Sequence, residues 1–189
     1  MHTSLETVTP QVPSKVLIVD DEEDVHQITR ISLRSLSHRG SRVKLVSARS
    51  AAEARQCMRE HPDIAVVLLD VVMESDHAGL DVSRFIREQL GNTFVRILLR
   101  TGQPGRAPEG TVVQEYEVDG YLPKAELTST RLVTMVRTAL KAYDELVDLE
   151  SRRHSLETVH ESVRELNTDS TWADFRLEDA GTFESETKR

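Results

Sequence analysis

Three short runs of almost unbroken aliphatic residues constrain this chain more than any other feature: Val16-Leu17-Ile18-Val19, Ile64-Ala65-Val66-Val67-Leu68-Leu69 and Val95-Arg96-Ile97-Leu98-Leu99. Each is rich in β-formers and lacks polar alternation, so the strand it predicts has no face to offer water. Such strands belong in a parallel sheet covered by helices on both sides. Val43-Lys44-Leu45-Val46-Ser47 does alternate and suits a strand with one more exposed side, while Tyr121-Leu122 beside Gly120 supplies a short fifth.

Helical patterns separate these runs. Val25, Ile28, Ile31 and Leu36 recur at about helical spacing, and Ser50-Ala51-Ala52-Glu53 is a capping-box signature ahead of Ala54 and Met58. Val82, Ile86 and Leu90 mark a third helix that Gly91 can end, and Ala107 to Tyr116 is a weaker one with Pro108 in its first turn. Leu132, Val136, Leu140 and Tyr143 form a strong final stripe. Strands alternating with helices imply right-handed crossovers. The expected fold class is therefore α/β, a doubly wound five-stranded parallel sheet of (βα)5 type. Its flavodoxin-like strand order is 2-1-3-4-5, with a long C-terminal helix.

Length and charge set the outer limits. A chain of 189 residues fits one domain plus an extension. Residues 1–14 are polar, carry Pro10 and Pro13, and read as a flexible arm; 15–142 form the domain; 143–166 are a helical extension; 167–189 are a polar tail with scattered Trp172, Phe175, Leu177 and Phe183. That tail reads as disordered or as the start of a further module. An aromatic content of only 4% makes the core mainly aliphatic, and a net charge of −8 opposes nucleic-acid binding. The single Cys57 cannot form an internal disulfide, and no apolar run approaches the roughly 20 residues needed to span a bilayer. The expectation is a soluble cytoplasmic protein with no membrane or nucleic-acid partner.

In a doubly wound sheet, ligands sit beyond the carboxyl ends of the strands, where strand order reverses. Asp20 and Asp21 follow the first run directly and Asp70 ends the third strand, so three carboxylates converge there. Crowded carboxylates repel one another unless a cation neutralises them, and hard oxygen ligands with room for water favour Mg2+. Thr101 and Lys124 follow the fourth and fifth strands, so a hydroxyl and an ammonium reach the same edge. Both suit the oxygens of a phosphoryl group. Taken singly, the aspartates could be helix caps or strand ends, Thr101 a turn residue and Lys124 a surface charge; their joint placement favours a site.

The segments VLIVDDEEDV, AVVLLDVVM, AGLDVSRFIR, ILLRTGQPG and GYLPK together resemble the successive blocks of response-regulator receiver domains of bacterial two-component systems. The resemblance implies that Asp70 accepts a phosphoryl group from a histidine kinase or phosphotransfer protein. It implies Mg2+ held by Asp21, Asp70 and the main-chain carbonyl of Val72, with Asp20 acting through water. Thr101 and Lys124 would contact the phosphoryl oxygens, and Tyr121 matches an aromatic position that rotates inward on phosphorylation; otherwise Tyr121 is a half-buried packing ring. The switching surface would be residues 107–143. No separate substrate would be turned over, beyond slow loss of the domain's own phosphoryl group.

The chain departs from the family pattern in several places. Ala125 follows Lys124 where proline is common, Glu74 stands where proline often sits, and Ser75-Asp76-His77-Ala78 makes the loop to Gly79 about one residue longer. Glu74, Asp76 and His77 read as solvated loop residues or as modifiers of metal affinity. Arg100 precedes Thr101 at a position more often small or apolar, a variant resembling receivers that precede larger sensory or catalytic modules.

Leu146, Leu149, Leu156, Val159, Val163 and Leu166 continue the last helical pattern, without Gly or Pro between Lys124 and Asn167. This segment reads either as a signalling helix that pairs two protomers or as one amphipathic helix packed on its own domain; the step from Leu146 to Leu149 breaks the earlier phase. His160 is read as a surface histidine. Two alternatives compete with a phosphoacceptor. One is a haloacid-dehalogenase-like phosphohydrolase, which would need its nucleophile in the first strand within an Asp-x-Asp pattern, whereas Asp20 and Asp21 are adjacent. The other is a pseudo-receiver that only binds partners, which the intact acidic, Thr and Lys positions disfavour.

Overall fold

The structure, a computed structural model, describes residues 12–102 and 116–168. Its five-stranded sheet is parallel throughout, with β1 (Lys15–Val19) between β4 (Lys44–Ala48) and β5 (Ile64–Asp70), followed by β6 (Arg96–Thr101) and β7 (Gly120–Pro123). The spatial order β4-β1-β5-β6-β7 is the expected 2-1-3-4-5. All seven residues of β5 are buried, which explains why that run shows no alternation.

The pleat sends successive side chains to opposite faces. Leu17, Val19, Val67, Leu69, Ile97 and Leu99 meet α2 (Ala51–Glu60) and α3 (Ala78–Arg84) through Ala54, Met58, Val82 and the following Phe85. On the other face Val16, Ile18, Val66, Leu68 and Leu98 pack with Leu33 of α1 (Glu23–Leu33) and with Leu132, Val136 and Leu140 of α4 (Ser129–Thr168). Burial of each such aliphatic side chain contributes about 1.5–3 kcal/mol.

Local signals work as the residues require. The Ser50 hydroxyl accepts from the Glu53 N–H at 3.2 Å, capping α2, and the Glu53 carboxylate accepts from Arg49 N–H at 2.7 Å. After α3 the chain widens into one π turn over Phe85–Gln89. It ends at Gly91 with φ +60°, and Asn92 N–H closes on Ile86 O at 3.0 Å.

The structure differs from the sequence pattern, or goes beyond it, at three points. The inward face of α1 is not the Ile28 and Ile31 stripe: those side chains are 62% and 67% exposed, and His26, Thr29 and Leu33 are buried instead. The helix lies over polar groups at the sheet edge, so its inner face is polar there. A hairpin, β2 (Ser37–His38) with β3 (Ser41–Arg42), precedes β4; its turn residues Arg39 and Gly40 both have positive φ, as a tight hairpin turn demands. His38 and Arg39 both reach the Asp144 carboxylate of α4, at 2.5 Å and 2.7 Å. The helix expected over Ala107 to Tyr116 lies, but for Tyr116, outside the described residues, as does the tail beyond Thr168.

The described residues up to Val147 form one compact unit and those from Asp148 onward a second. In the second, the helix carries Leu149, Leu156 and Val159 as exposed side chains, and ion pairs join Arg153 to Glu150 and Glu157. No helix among the described residues is long and apolar enough to cross a membrane.

Candidate functional site

Because every strand of the sheet runs the same way, the residues that follow β1, β5, β6 and β7 share one edge. Asp20 and Asp21 leave β1, Asp70 is the last residue of β5, Thr101 the last of β6, and Lys124 opens the 3-10 turn Lys124–Glu126 after β7. Asp20, Asp70 and Thr101 are buried, whereas Asp21 is exposed. Val72 lies half-buried two residues past Asp70, and Tyr121 is half-buried in β7 against the cluster that holds Val19, Leu69 and Leu99.

Carboxylate oxygens of Asp20, Asp21, Glu22 and Asp70 lie within 4.8 Å of one another. Glu22 was not among the residues expected from sequence. Its backbone N–H donates to Asp20 Oδ1 at 3.1 Å, so the turn after β1 folds back on its own first aspartate. Lys124 Nζ joins three of these groups, at 2.9 Å from Asp70 Oδ2, 2.9 Å from Glu22 Oε1 and 3.3 Å from Asp20 Oδ2. Ala125 in place of proline thus leaves Lys124 on Asp70. Glu74 is tied down as well: its carboxylate accepts from the Ala51 N–H at 2.9 Å, which fixes the loop after β5 to the start of α2.

A second cation lies beneath the acidic cluster. Arg100 is 1% exposed, with Nη2 at 3.2 Å from Asp20 Oδ2 and Nη1 donating to Thr29 Oγ1 at 3.0 Å. His26, also buried, donates from Nε2 to the Asp20 carbonyl at 2.7 Å, because a carbonyl can only accept. In the sequence Arg100 stands out only as unusual beside Thr101. The available signal was a charge set directly after the apolar run Ile97–Leu99, which must find a counter-ion when buried.

These contacts set the electrostatics. Burial pushes the Asp70 carboxyl above the usual carboxylate range; Lys124 opposes that shift and Asp20 adds to it. The hydrogen bond from Lys124 holds the Glu22 carboxyl below its usual range. For Lys124, burial alone would lower the affinity for its proton, but the bonds to Glu22 and Asp70 outweigh it and the ammonium is held firmly charged. Burial lowers the proton affinity of Arg100, against the pull of Asp20, Asp70 and Glu22. The cluster of hard oxygen donors, half of it open to solvent, suits a divalent cation of the Mg2+ kind.

A raised Asp70 value has a sign. In the metal-free protein, its stabilising effect is fully present below the unfolded carboxylate value of about 3.9 and is lost as pH rises through the raised folded value. Asp70→Asn keeps the shape and removes the charge. In chelator at pH 7 the variant is expected to melt above the parent, with the gap closing as the pH falls toward 4. Thermal melts at the two pH values check this, and a variant that melts lower at pH 7 would contradict it.

The sheet order and the convergent acidic edge define a receiver-type protein, and comparison with known proteins agrees: the family described as "Response regulator receiver domain" matches residues 16–137. The chain belongs to that family. It is 48% identical over 152 residues to 3'3'-cGAMP-specific phosphodiesterase 2 of Vibrio cholerae serotype O1, a match that covers 80% of this chain and 29% of that protein. Among solved structures it is similar to the signal receiver domain of an HD domain-containing protein from Pseudomonas fluorescens Pf-5, with TM-score 0.64 and 22% identity, covering 76% of this chain and 98% of that one. It is also similar to a CheY-like receiver domain from Methanospirillum hungatei JF-1, with TM-score 0.59 and 17% identity, covering 71% and 98%. These likenesses establish the fold.

Proposed function

We propose that this domain accepts a phosphoryl group on Asp70 from a histidine kinase or phosphotransfer protein, and that Asp21, Asp70 and the Val72 carbonyl hold Mg2+ with Asp20 acting through water. The observation that carries the proposal is Asp70 itself, a buried carboxylate at the switch point of the sheet with a charged lysine 2.9 Å away and three further carboxylates beside it. A carboxylate oxygen of Asp70 attacks the phosphorus of phosphohistidine in line; the P–O bond forms as the P–N bond breaks, and the imidazole leaves. Mg2+ bound there supplies charge neutralisation for the transferring oxygens. Lys124 holds one phosphoryl oxygen, and the Thr101 hydroxyl receives another as the β6 end shifts. Tyr121 follows that shift inward and carries it to the 107–143 surface.

The same reading extends to a larger protein. The matched segment is 29% of a phosphodiesterase, so we propose that this receiver regulates a linked effector through the helix that continues to Thr168, with pairing of two such helices as one means. Turnover of a separate substrate would then belong to that effector.

Incubation of the purified chain with phosphoramidate and Mg2+ is expected to add one phosphoryl group by intact mass. Chelator should prevent the addition, and Asp70→Ala should abolish it. An unmodified parent under these conditions, or a variant modified to the same extent, would overturn the proposal.

A further inference from the structure

Arg100 puts a permanent positive charge inside a site whose purpose, on the reading above, is to attract another. Its guanidinium bridges Asp20, just past β1, and Thr29 of α1 from the end of β6, all three of them buried. The pleat places it there: Leu98 and Arg100 point to the α1 and α4 face, while Leu99 between them points to the other. The identity of the inner α1 residues follows from it. Thr29 and His26 turn inward to serve Arg100 and the Asp20 carbonyl, while Ile28 and Ile31 turn out to solvent.

This network is a poor device for stability alone. Arg100 Nε and His26 Nδ1 are both buried with no hydrogen-bond partner among the described residues. Each orphaned group of that kind costs about 1–3 kcal/mol. Replacing a buried ion pair by apolar residues of similar volume is often neutral or stabilising. A guanidinium kept under such conditions acts on something else, and what it touches is one oxygen of Asp20, the same oxygen that lies 3.3 Å from Lys124 Nζ.

We propose that Arg100 is a positioning residue that keeps Asp20 paired and out of direct contact with the metal, so that Mg2+ binds through Asp21 and Asp70 with an affinity lowered by the buried guanidinium. The inference rests on the phosphoacceptor reading of the site, and names what sets its metal affinity. Two cations repel across a low-dielectric interior far more than across water. With Asp20 committed to Arg100, occupancy of the site responds to Mg2+ concentration rather than saturating at trace levels. The Thr29 contact also ties that setting to the position of α1, an element that carries the exposed apolar residues Ile28 and Ile31 on its outer side.

Titration of Mg2+ into the metal-free full chain by calorimetry tests the inference without any phosphodonor. Arg100→Gln is expected to bind Mg2+ at least fivefold more tightly than the parent, and Arg100→Lys, which restores the charge, to return within about twofold of it. A folded Arg100→Gln variant with unchanged or weaker Mg2+ binding would overturn the inference, as would a lysine variant that tightens as much as the glutamine one. Should the glutamine variant fail to fold, the unaltered protein gives the answer by side-chain NMR. Separate, slowly rotating Arg100 Nη resonances must persist at saturating Mg2+, and their collapse would show Asp20 leaving for the metal. Absence of any Mg2+ binding by the parent would defeat the functional reading together with this inference, whereas normal Mg2+ binding and phosphorylation with indifferent Arg100 variants would defeat the inference alone.

Discussion

Gly79→Ala is expected to lose about 3 kcal/mol or more of stability, at the upper end of what overpacking costs. A Cβ at residue 79 would lie 1.9 Å from the Asp70 carbonyl oxygen, 2.8 Å from its carbonyl carbon and 2.9 Å from Val71 Cα. All three are backbone atoms, so no side chain can swing aside. The Gly79 N–H already donates to Val71 O at 3.1 Å, which holds the first turn of α3 against the end of β5. Either the helix backs away or Asp70 is displaced. Urea denaturation should therefore show the loss in stability, and phosphoryl uptake by the remaining folded protein should fall at least about a hundredfold, because a misplacement of 1 Å costs that much. Gly91→Ala is the control: it has φ +60° but nothing within 4 Å, so only backbone strain of about 1 kcal/mol is at stake and phosphoryl uptake should stay intact. Equal effects at the two glycines would contradict the close approach of α3 to Asp70.

Lys124→Met has the second large expected effect, and the size of its stability loss depends on metal. Without Mg2+ the buried Asp20 and Asp70 carboxylates lose a shared counter-charge, and about 2–3 kcal/mol should go with it, since removing one partner leaves buried charge uncompensated. Mg2+ at millimolar levels should return much of that stability, because a ligand that binds only the folded state shifts the equilibrium toward it. Phosphoryl uptake should not return. Under the proposed function the lysine donates directly to the transferred group, and loss of one such donor typically costs about a hundredfold to a thousandfold. Melting curves and phosphorylation rates measured with and without Mg2+ separate the two roles. A variant as stable in chelator as the parent would contradict the ion-pair account.

The sheet was legible because burial on both faces removes polar residues from a strand, and Ile64 to Leu69 shows that effect, with Asp70 placed only at the strand's end. The edge that gathers Asp20, Asp21, Asp70, Thr101 and Lys124 followed from strand direction alone. What escaped was whatever depended on side-chain packing across elements. Val25, Ile28 and Ile31 carry a helical period, yet period does not say which of two plausible stripes faces inward, and a buried polar network took the other one. Glu22 carries no distinguishing signal in the sequence and is exposed; only the fold-back of the turn brings it to Lys124. The hairpin at Ser37–Arg42 has strands of two residues each, too short for any alternation to register. Arg100 could have been flagged by its apolar neighbours, although its partner could be found only in three dimensions.

Reductive trapping tests the central claim most directly. An aspartyl phosphate is an acyl phosphate, and borohydride reduces it to the alcohol, so peptide mapping after phosphoramidate, Mg2+ and borohydride reads out the acceptor residue. Homoserine at position 70, and at no other acidic position, is the predicted result. Trapping at Asp20, Asp21 or Glu22 with Asp70 unmodified would contradict it.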